Sequence, residues 1–93
     1  MQVSWDERKS RSNLAKHGVS FETAALVFDG PRAQSLLERV VDGEERWQTM
    51  GLIGAVLVLL VVHTWHEGDE EAVHIISARR ATPRERNLYE ETH

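Results

Sequence analysis

The residues of this chain that are best suited to catalysis or phosphate binding are cations and histidines near the ends of apolar strand patterns. Residues 73–81 read Val-His-Ile-Ile-Ser-Ala-Arg-Arg-Ala, so one such pattern leads directly into Arg79 and Arg80. An arginine can hold a phosphate with two hydrogen bonds at once. His66 and His74 flank an acidic loop at 67–71, and antiparallel pairing of the two flanking strands would place them side by side. These residue types suit the cleavage of RNA without a metal, which needs a base, an acid and fixed positive charge.

Two further candidate site residues lie in the last turn of the first predicted helix. Lys16 and His17 precede Gly18, a typical residue just past a helix C-terminus. Positive charge in the last turn is favoured by the helix dipole, and this structural role would be sufficient to explain both residues. A histidine in this position can also transfer protons, so both stay candidates for contact with RNA.

A metal site is the main alternative for the histidines. The segment 63–67 reads His-Thr-Trp-His-Glu and superficially resembles a zinc motif. On a strand, however, positions three apart face opposite sides of the sheet, and the helical His-Glu-x-x-His spacing is absent. We therefore expect no metal ligand and no cofactor.

Length and composition indicate a single cytoplasmic domain spanning residues 1–93. Of these 93 residues 41% are hydrophobic and 28% charged, there is no cysteine, and the net charge is −4. The N-terminus lacks the features of a signal peptide. The longest apolar run, residues 52–62, is shorter than the roughly twenty residues that cross a membrane, so no membrane association is expected.

The periodicities predict a small α+β domain. Asp6 is a suitable N-cap for a helix to about His17, and Ser20 for a second helix that ends near Asp29. Thr82, Pro83 and Glu85 have the spacing of a capping box for a last helix to about Glu91. Strands are predicted at residues 33–41, 44–51, 52–65 and 72–81, and residues 2–5 are a short strand candidate. We expect two N-terminal helices, an antiparallel sheet of about four strands and a C-terminal helix.

Strand alternation assigns the arginines to different faces of the sheet. In a regular strand Arg80 shares a face with His74 and Ala78, whereas Arg79 shares the other with Ser77. A twist or bulge would change this assignment.

Several stretches of the chain resemble the BrnT toxins of bacterial type II toxin–antitoxin systems. The resemblance runs nearly end to end and is most specific in Lys-His-Gly-Val-Ser-Phe at 16–21 and Ile-Ser-Ala-Arg at 76–79. Further matching stretches are Trp-Asp at 5–6, Asp-Gly-Glu-Glu-Arg at 42–46 and Glu-Arg-x-x-Tyr at 85–89.

The resemblance implies a RelE-like fold and a metal-independent endoribonuclease that inhibits translation when free. It also implies a BrnA-type antitoxin partner, in a complex of two toxins and two antitoxins that represses its own operon. Operator DNA would be bound only through the antitoxin. The chain itself is acidic and lacks helix-turn-helix spacing, which disfavours a DNA-binding domain.

The same resemblance selects the candidate site residues. Arg79, His66 and His74 would be catalytic, and the RNA contacts would be Lys16, His17, Arg46 and Arg80. His66 and His74 stand where the family pattern leads us to expect arginine, so proton transfer is retained but permanent charge is not. The alternative is a weakened or inactive homologue, a binding module that partners the antitoxin and co-represses the operon.

Overall fold

The computed structural model describes residues 1–68 and 70–92, so Asp69 of the predicted acidic loop and His93 lie outside the described residues. The α+β class is confirmed. The elements, in chain order, are β1 (Gln2–Ser4), α1 (Glu7–His17), α2 (Phe21–Ala25), a 3₁₀ helix (Leu26–Asp29), β2 (Gln34–Val41), β3 (Glu44–Ile53), β4 (Leu57–His66), β5 (Ala72–Arg80) and α3 (Pro83–Glu91).

The sheet is mixed and has five strands among the described residues, in the order β1-β5-β4-β3-β2. The prediction of about four antiparallel strands was wrong in this respect, because β1 pairs parallel with β5, Gln2 opposite Ala72 and Ser4 opposite His74. A three-residue strand carries no local signal of its partner. The other neighbouring strands are antiparallel, as expected.

The N-terminal helices begin at the predicted caps. The Asp6 carboxylate accepts hydrogen bonds from the backbone N–H groups of Arg8 and Lys9, and these bonds are the main reason why its pKa is lowered. The Ser20 hydroxyl accepts from Thr23 N–H. Gly18 ends α1 with φ at 73°, in the left-handed region that glycine tolerates best. The second helix is shorter than predicted, because the 3₁₀ helix replaces its last turns.

The segment that holds α2 and the 3₁₀ helix supplies the core on one face of the sheet, which we call the helix face. The buried residues of α1 are Ser10 and Asn13. The buried cluster on this face is Val19, Phe21, Ala24, Val27, Leu59, Val61, Val73, Ile75 and Ala78. Val27 is fully buried whereas Phe28, predicted as core, packs against the cluster from its edge. The tighter winding of the 3₁₀ helix changes which residue points inward. Asn13 fixes α1 to β5, because its Nδ2 donates to Ala78 O over 2.8 Å and its Oδ1 accepts from Ala78 N–H.

The C-terminal helix α3 starts with the predicted capping box. Thr82 Oγ1 accepts from Glu85 N–H, and the Glu85 carboxylate accepts from Thr82 N–H. Tyr89 is buried and its hydroxyl donates to Arg32 O over 3.0 Å. No helix within residues 1–68 and 70–92 has the length and hydropathy needed to cross a membrane.

Candidate active site

A cavity of about 260 Å³ gathers several of the predicted site residues on the sheet face opposite the helix face. Its lining residues are Lys9, Glu44, Arg46, Thr64, His66, His74, Ile75 and Ile76. They come from α1 and from strands β3, β4 and β5. The cavity therefore brings His66, His74 and Arg46 together from three different strands. We call the sheet face that bears Thr64, His66 and His74 the cation face.

The register between β4 and β5 sets the arrangement of the two histidines. Thr64 lies opposite His74, and His66 lies opposite Ala72. Opposite residues share a face of the sheet, and so do residues two apart on one strand. The histidines are thus diagonal neighbours rather than a directly opposed pair. Both side chains are exposed to the cavity and to solvent.

His74 is oriented by the N-terminal strand. Its Nδ1 lies 2.9 Å from Ser4 Oγ, across the parallel pairing of β1 and β5. A serine hydroxyl can donate to a neutral imidazole nitrogen or accept from a protonated one. Ser4 can therefore hold His74 in either protonation state while Nε2 exchanges a proton with a substrate.

Arg46 supplies permanent positive charge to the cavity. Its Nη2 lies 3.2 Å from Glu44 Oε1, and its side chain is 24% exposed. The Arg46 Nε–H is buried and has no hydrogen-bond partner among the described residues. A buried donor without a partner carries a desolvation penalty that a bound anion would relieve.

Lys9 is a cavity residue that sequence reasoning did not select. It lies in the first turn of α1, next to Arg8 and close to Arg11, and no pattern in the sequence distinguishes these three cations. Only the docking of α1 on β5 places Lys9 at the cavity.

A β-bulge overturns the predicted faces of the two arginines. Ser77 lies opposite Val62, but Ile75 lies opposite His63, so Ile76 is an extra residue in β5. The alternation resumes one position later, and Arg79 then lies opposite Leu60, on the cation face with His74. Arg80 lies opposite Leu59, which belongs to the helix-face core. The bulge therefore exchanges the predicted positions of Arg79 and Arg80.

Arg79 is held by an ion pair with the start of α3. Its Nη1 and Nη2 donate to the two carboxylate oxygens of Glu85 over 2.7 and 2.9 Å, and Nη1 also donates to Arg80 O. The hydrogen bonds from Arg79 lower the pKa of Glu85 to about 2, and the same pairing raises the pKa of Arg79. These hydrogen bonds use Nη1 and Nη2 and leave Nε–H out. The guanidinium edge formed by Nε and the second Nη2 hydrogen can still receive a phosphate.

The remaining predicted contacts lie outside the cavity lining. Lys16 and His17 are exposed in the last turn of α1, and Arg80 is exposed at the end of β5. Arg79 is also not part of the lining, because five positions of β5 separate it from His74. The structure thus groups His66, His74 and Arg46 with Lys9, and places Arg79 further along the same face.

His63, the first histidine of the metal-like segment, is a buried structural residue of the helix face. Its Nε2 lies 2.6 Å from Thr49 Oγ1, which lies 2.7 Å from Ser35 Oγ, and its Nδ1 lies 3.0 Å from Thr64 O. A carbonyl only accepts, so Nδ1 carries the proton and Nε2 accepts from Thr49. Burial lowers the pKa of His63 and keeps it neutral. No three potential metal-ligating side chains gather anywhere in the described parts of the chain.

Comparison with known proteins decides the family. A family model described as "Ribonuclease toxin, BrnT, of type II toxin-antitoxin system" matches residues 5–85. The chain belongs to the BrnT ribonuclease toxin family. It is similar to the crystal structure of the Brucella abortus ribonuclease toxin BrnT, with 31% sequence identity and a TM-score of 0.68, over 88% of this chain and 97% of that one. No curated protein matches the sequence.

Proposed function

We propose that this member of the BrnT family is a toxin that cleaves RNA without a metal and thereby inhibits translation. The observation that supports it most is the cavity on the cation face. There two exposed histidines lie beside Arg46 and Lys9. The histidines supply groups for proton transfer, and the two cations supply charge for a phosphate. Family membership supports ribonuclease activity in general.

In the proposed reaction one histidine removes the proton from a ribose 2′-hydroxyl, and the 2′-oxygen attacks the adjacent phosphorus. The bond from phosphorus to the 5′-oxygen breaks, and the other histidine donates a proton to that leaving oxygen. The products are a 2′,3′-cyclic phosphate and a 5′-hydroxyl end. Arg46 and Lys9 stabilise the negative charge that develops on the phosphate. His74, held by Ser4 in either protonation state, can serve as acid or base.

Arg79 holds the RNA backbone on the same face in this proposal. Its ion pair with Glu85 fixes the guanidinium plane and leaves one edge for a phosphate. Arg79 would thus bind a phosphate of the strand that enters the cavity, and Lys16, His17 and Arg80 remain proposed auxiliary contacts. The alternative role is the catalytic one expected from the sequence, in which Arg79 contacts the scissile phosphate itself.

Cleavage of a fluorescent single-stranded RNA in excess EDTA tests the proposal. We expect the wild type to produce 2′,3′-cyclic ends, and the double variant His66→Ala/His74→Ala to lose roughly a hundredfold or more of the rate. Arg46→Met and Arg79→Ala should each lose a large part of it. Arg11→Met, an exposed arginine of α1 outside the cavity lining, is the matched control and should retain activity. Equal rates for the wild type and the double histidine variant would refute the assigned site.

A second candidate function is a weakened toxin that acts mainly as a binding module. The presence of histidine at positions 66 and 74 favours this candidate, since His66 and His74 lack the permanent charge of the arginines expected there. In both readings the proposed partner is a BrnA-type antitoxin, in a cytoplasmic complex of two toxins and two antitoxins. Induced expression in bacteria discriminates between them. Growth arrest that the antitoxin relieves supports the ribonuclease, and harmless expression with intact antitoxin binding supports the module.

A further inference from the structure

The helix face carries a second concave surface, formed by residues of β2, β3 and β4 and the loop after β4. A groove of about 520 Å³ is lined by Ser35, Glu45, Trp47, Trp65 and Glu67, and we call it the tryptophan groove. The two indoles meet edge to face with ring centroids 5.6 Å apart, and both are only partly buried. The two glutamates are exposed at the rim. The groove thus combines aromatic surface with negative charge.

The neighbouring edge strand β2 extends this surface. In the order of the sheet β2 is outermost, so its outer backbone groups face no further strand among the described residues. Leu37 lies opposite Trp47 and is 44% exposed, and Val40 lies opposite Glu45 and is 58% exposed. An eight-residue edge strand with exposed apolar side chains is a template for pairing with another chain.

We propose that the tryptophan groove and β2 form a docking surface for an extended, basic segment of another protein. The segment pairs with the backbone of β2 and places apolar side chains on Leu37 and Val40. A lysine or arginine of the segment enters the groove and lies against the face of Trp47 or Trp65. Addition of a strand to a sheet edge supplies backbone hydrogen bonds, and the adjacent pocket supplies specificity.

Charge complementarity selects a basic occupant. Glu45 and Glu67 attract a cationic side chain, and an arginine or lysine near an indole gains a cation–π interaction. The same carboxylates repel RNA phosphates, although tryptophans alone would suit base stacking. A second copy of this chain would bring together two β2–β3 hairpins that each carry more acids than arginines. The acids are Glu38, Asp42, Glu44 and Glu45, whereas Arg39 and Arg46 pair with Glu38 and Glu44.

The docking surface is independent of the proposed ribonuclease site. Trp47 and Trp65 lie opposite His63 and Val73 on the helix face, whereas His66 and His74 lie on the cation face. A protein without ribonuclease activity could still bind a basic segment here. A lack of RNA cleavage would therefore not argue against the docking surface, and a lack of docking would not argue against RNA cleavage.

The probe is a capped eight-residue peptide, Val-Ser-Arg-Ser-Val-Ser-Arg-Ser, which as a strand presents valine and arginine on one face. It is titrated against the full chain while tryptophan fluorescence is recorded. We expect saturable binding that weakens at least tenfold in the double variant Glu45→Lys/Glu67→Lys. The matched control is Glu90→Lys/Glu91→Lys, which changes the net charge equally at the end of α3, where the helix dipole favours cations. The control should bind within twofold of the wild type, and circular dichroism should show both variants folded.

Two further measurements separate the parts of the proposal. A peptide N-methylated at alternate residues cannot pair as a strand on that edge and should bind at least tenfold more weakly. Absence of binding to the wild type, or equal weakening in both charge variants, would overturn the docking surface. So would fluorescence quenching by a single-stranded RNA in place of the peptide. Sedimentation that shows a dimer abolished by Leu37→Asp, without peptide binding, would assign β2 to self-association instead.

Discussion

The ion pair between Arg79 and Glu85 makes a quantitative prediction for stability. Glu85→Gln removes the negative charge but keeps an oxygen that can accept from Thr82 N–H, so the capping box remains. The pKa of Glu85 is lowered from 4.5 to about 2. At about 1.36 kcal/mol per pKa unit this is at most roughly 3.5 kcal/mol of stabilisation. The side chains of Arg79 and Glu85 are 39% and 27% exposed, and solvent screening reduces the expected loss to roughly 1–1.5 kcal/mol.

This contribution depends on pH with a definite sign. Because the folded-state pKa is depressed, the stabilisation is fully present above pH 4.5 and is lost as the pH falls toward 2. At pH 3 the difference between wild type and Glu85→Gln should be less than half of its value at pH 7. Near pH 7 the variant should melt lower by roughly 5–10 °C.

Urea unfolding followed by tryptophan fluorescence at pH 7, 5 and 3 measures this difference. Glu91→Gln, an exposed glutamate of the same helix, is the matched control and should change the free energy of unfolding little at any of these pH values. In a double-mutant cycle with Arg79→Met, the two losses should be clearly non-additive. A difference that is equally large at pH 3 and pH 7 would refute the reasoning, because the charge of Glu85 would then not be its source.

Two further predictions concern the helix face. Thr49→Val removes the hydroxyl that donates to His63 Nε2 without changing the side-chain shape, and should lower the free energy of unfolding by roughly 1–3 kcal/mol. An unchanged urea midpoint would contradict the assigned hydrogen bond. Gly51→Ala would place a Cβ 2.6 Å from Val27 Cγ1 in the buried core, and should destabilise by roughly 1–3 kcal/mol by overpacking. Gly68→Ala meets no atom within 4 Å and serves as the control, which should unfold at nearly the wild-type urea concentration.

The features that sequence reasoning predicted well are those with a local chemical cause. Asp6 and Ser20 cap helices because their side chains reach backbone donors two or three residues away, and Thr82 with Glu85 does the same for α3. The continuous apolar character of residues 57–62 similarly indicated that β4 is central and covered on both faces.

The features that it missed depend on contacts distant in sequence. The extra residue Ile76 in β5 is defined only by its register against β4, and no turn residue or glycine marks it. A single displaced position was sufficient to exchange the faces of Arg79 and Arg80. Lys9 similarly reaches the cavity only because Asn13 fixes α1 to the backbone of β5. Side-chain periodicity therefore identified which residues could carry the chemistry, but not which of them lie together in the folded protein.

The parallel pairing of β1 with β5 affects the order in which parts of the chain fold. The first strand, residues 2–4, must wait for residues 72–74 before it has a partner. Closing so long a loop is entropically slow compared with forming helices or hairpins. A chain emerging from the ribosome also lacks His74 and its pairing with β1 until residues 72–74 have been synthesised. Assembly of the cation-face cavity therefore follows the synthesis of β5, and a chain that ends before β5 cannot contain it.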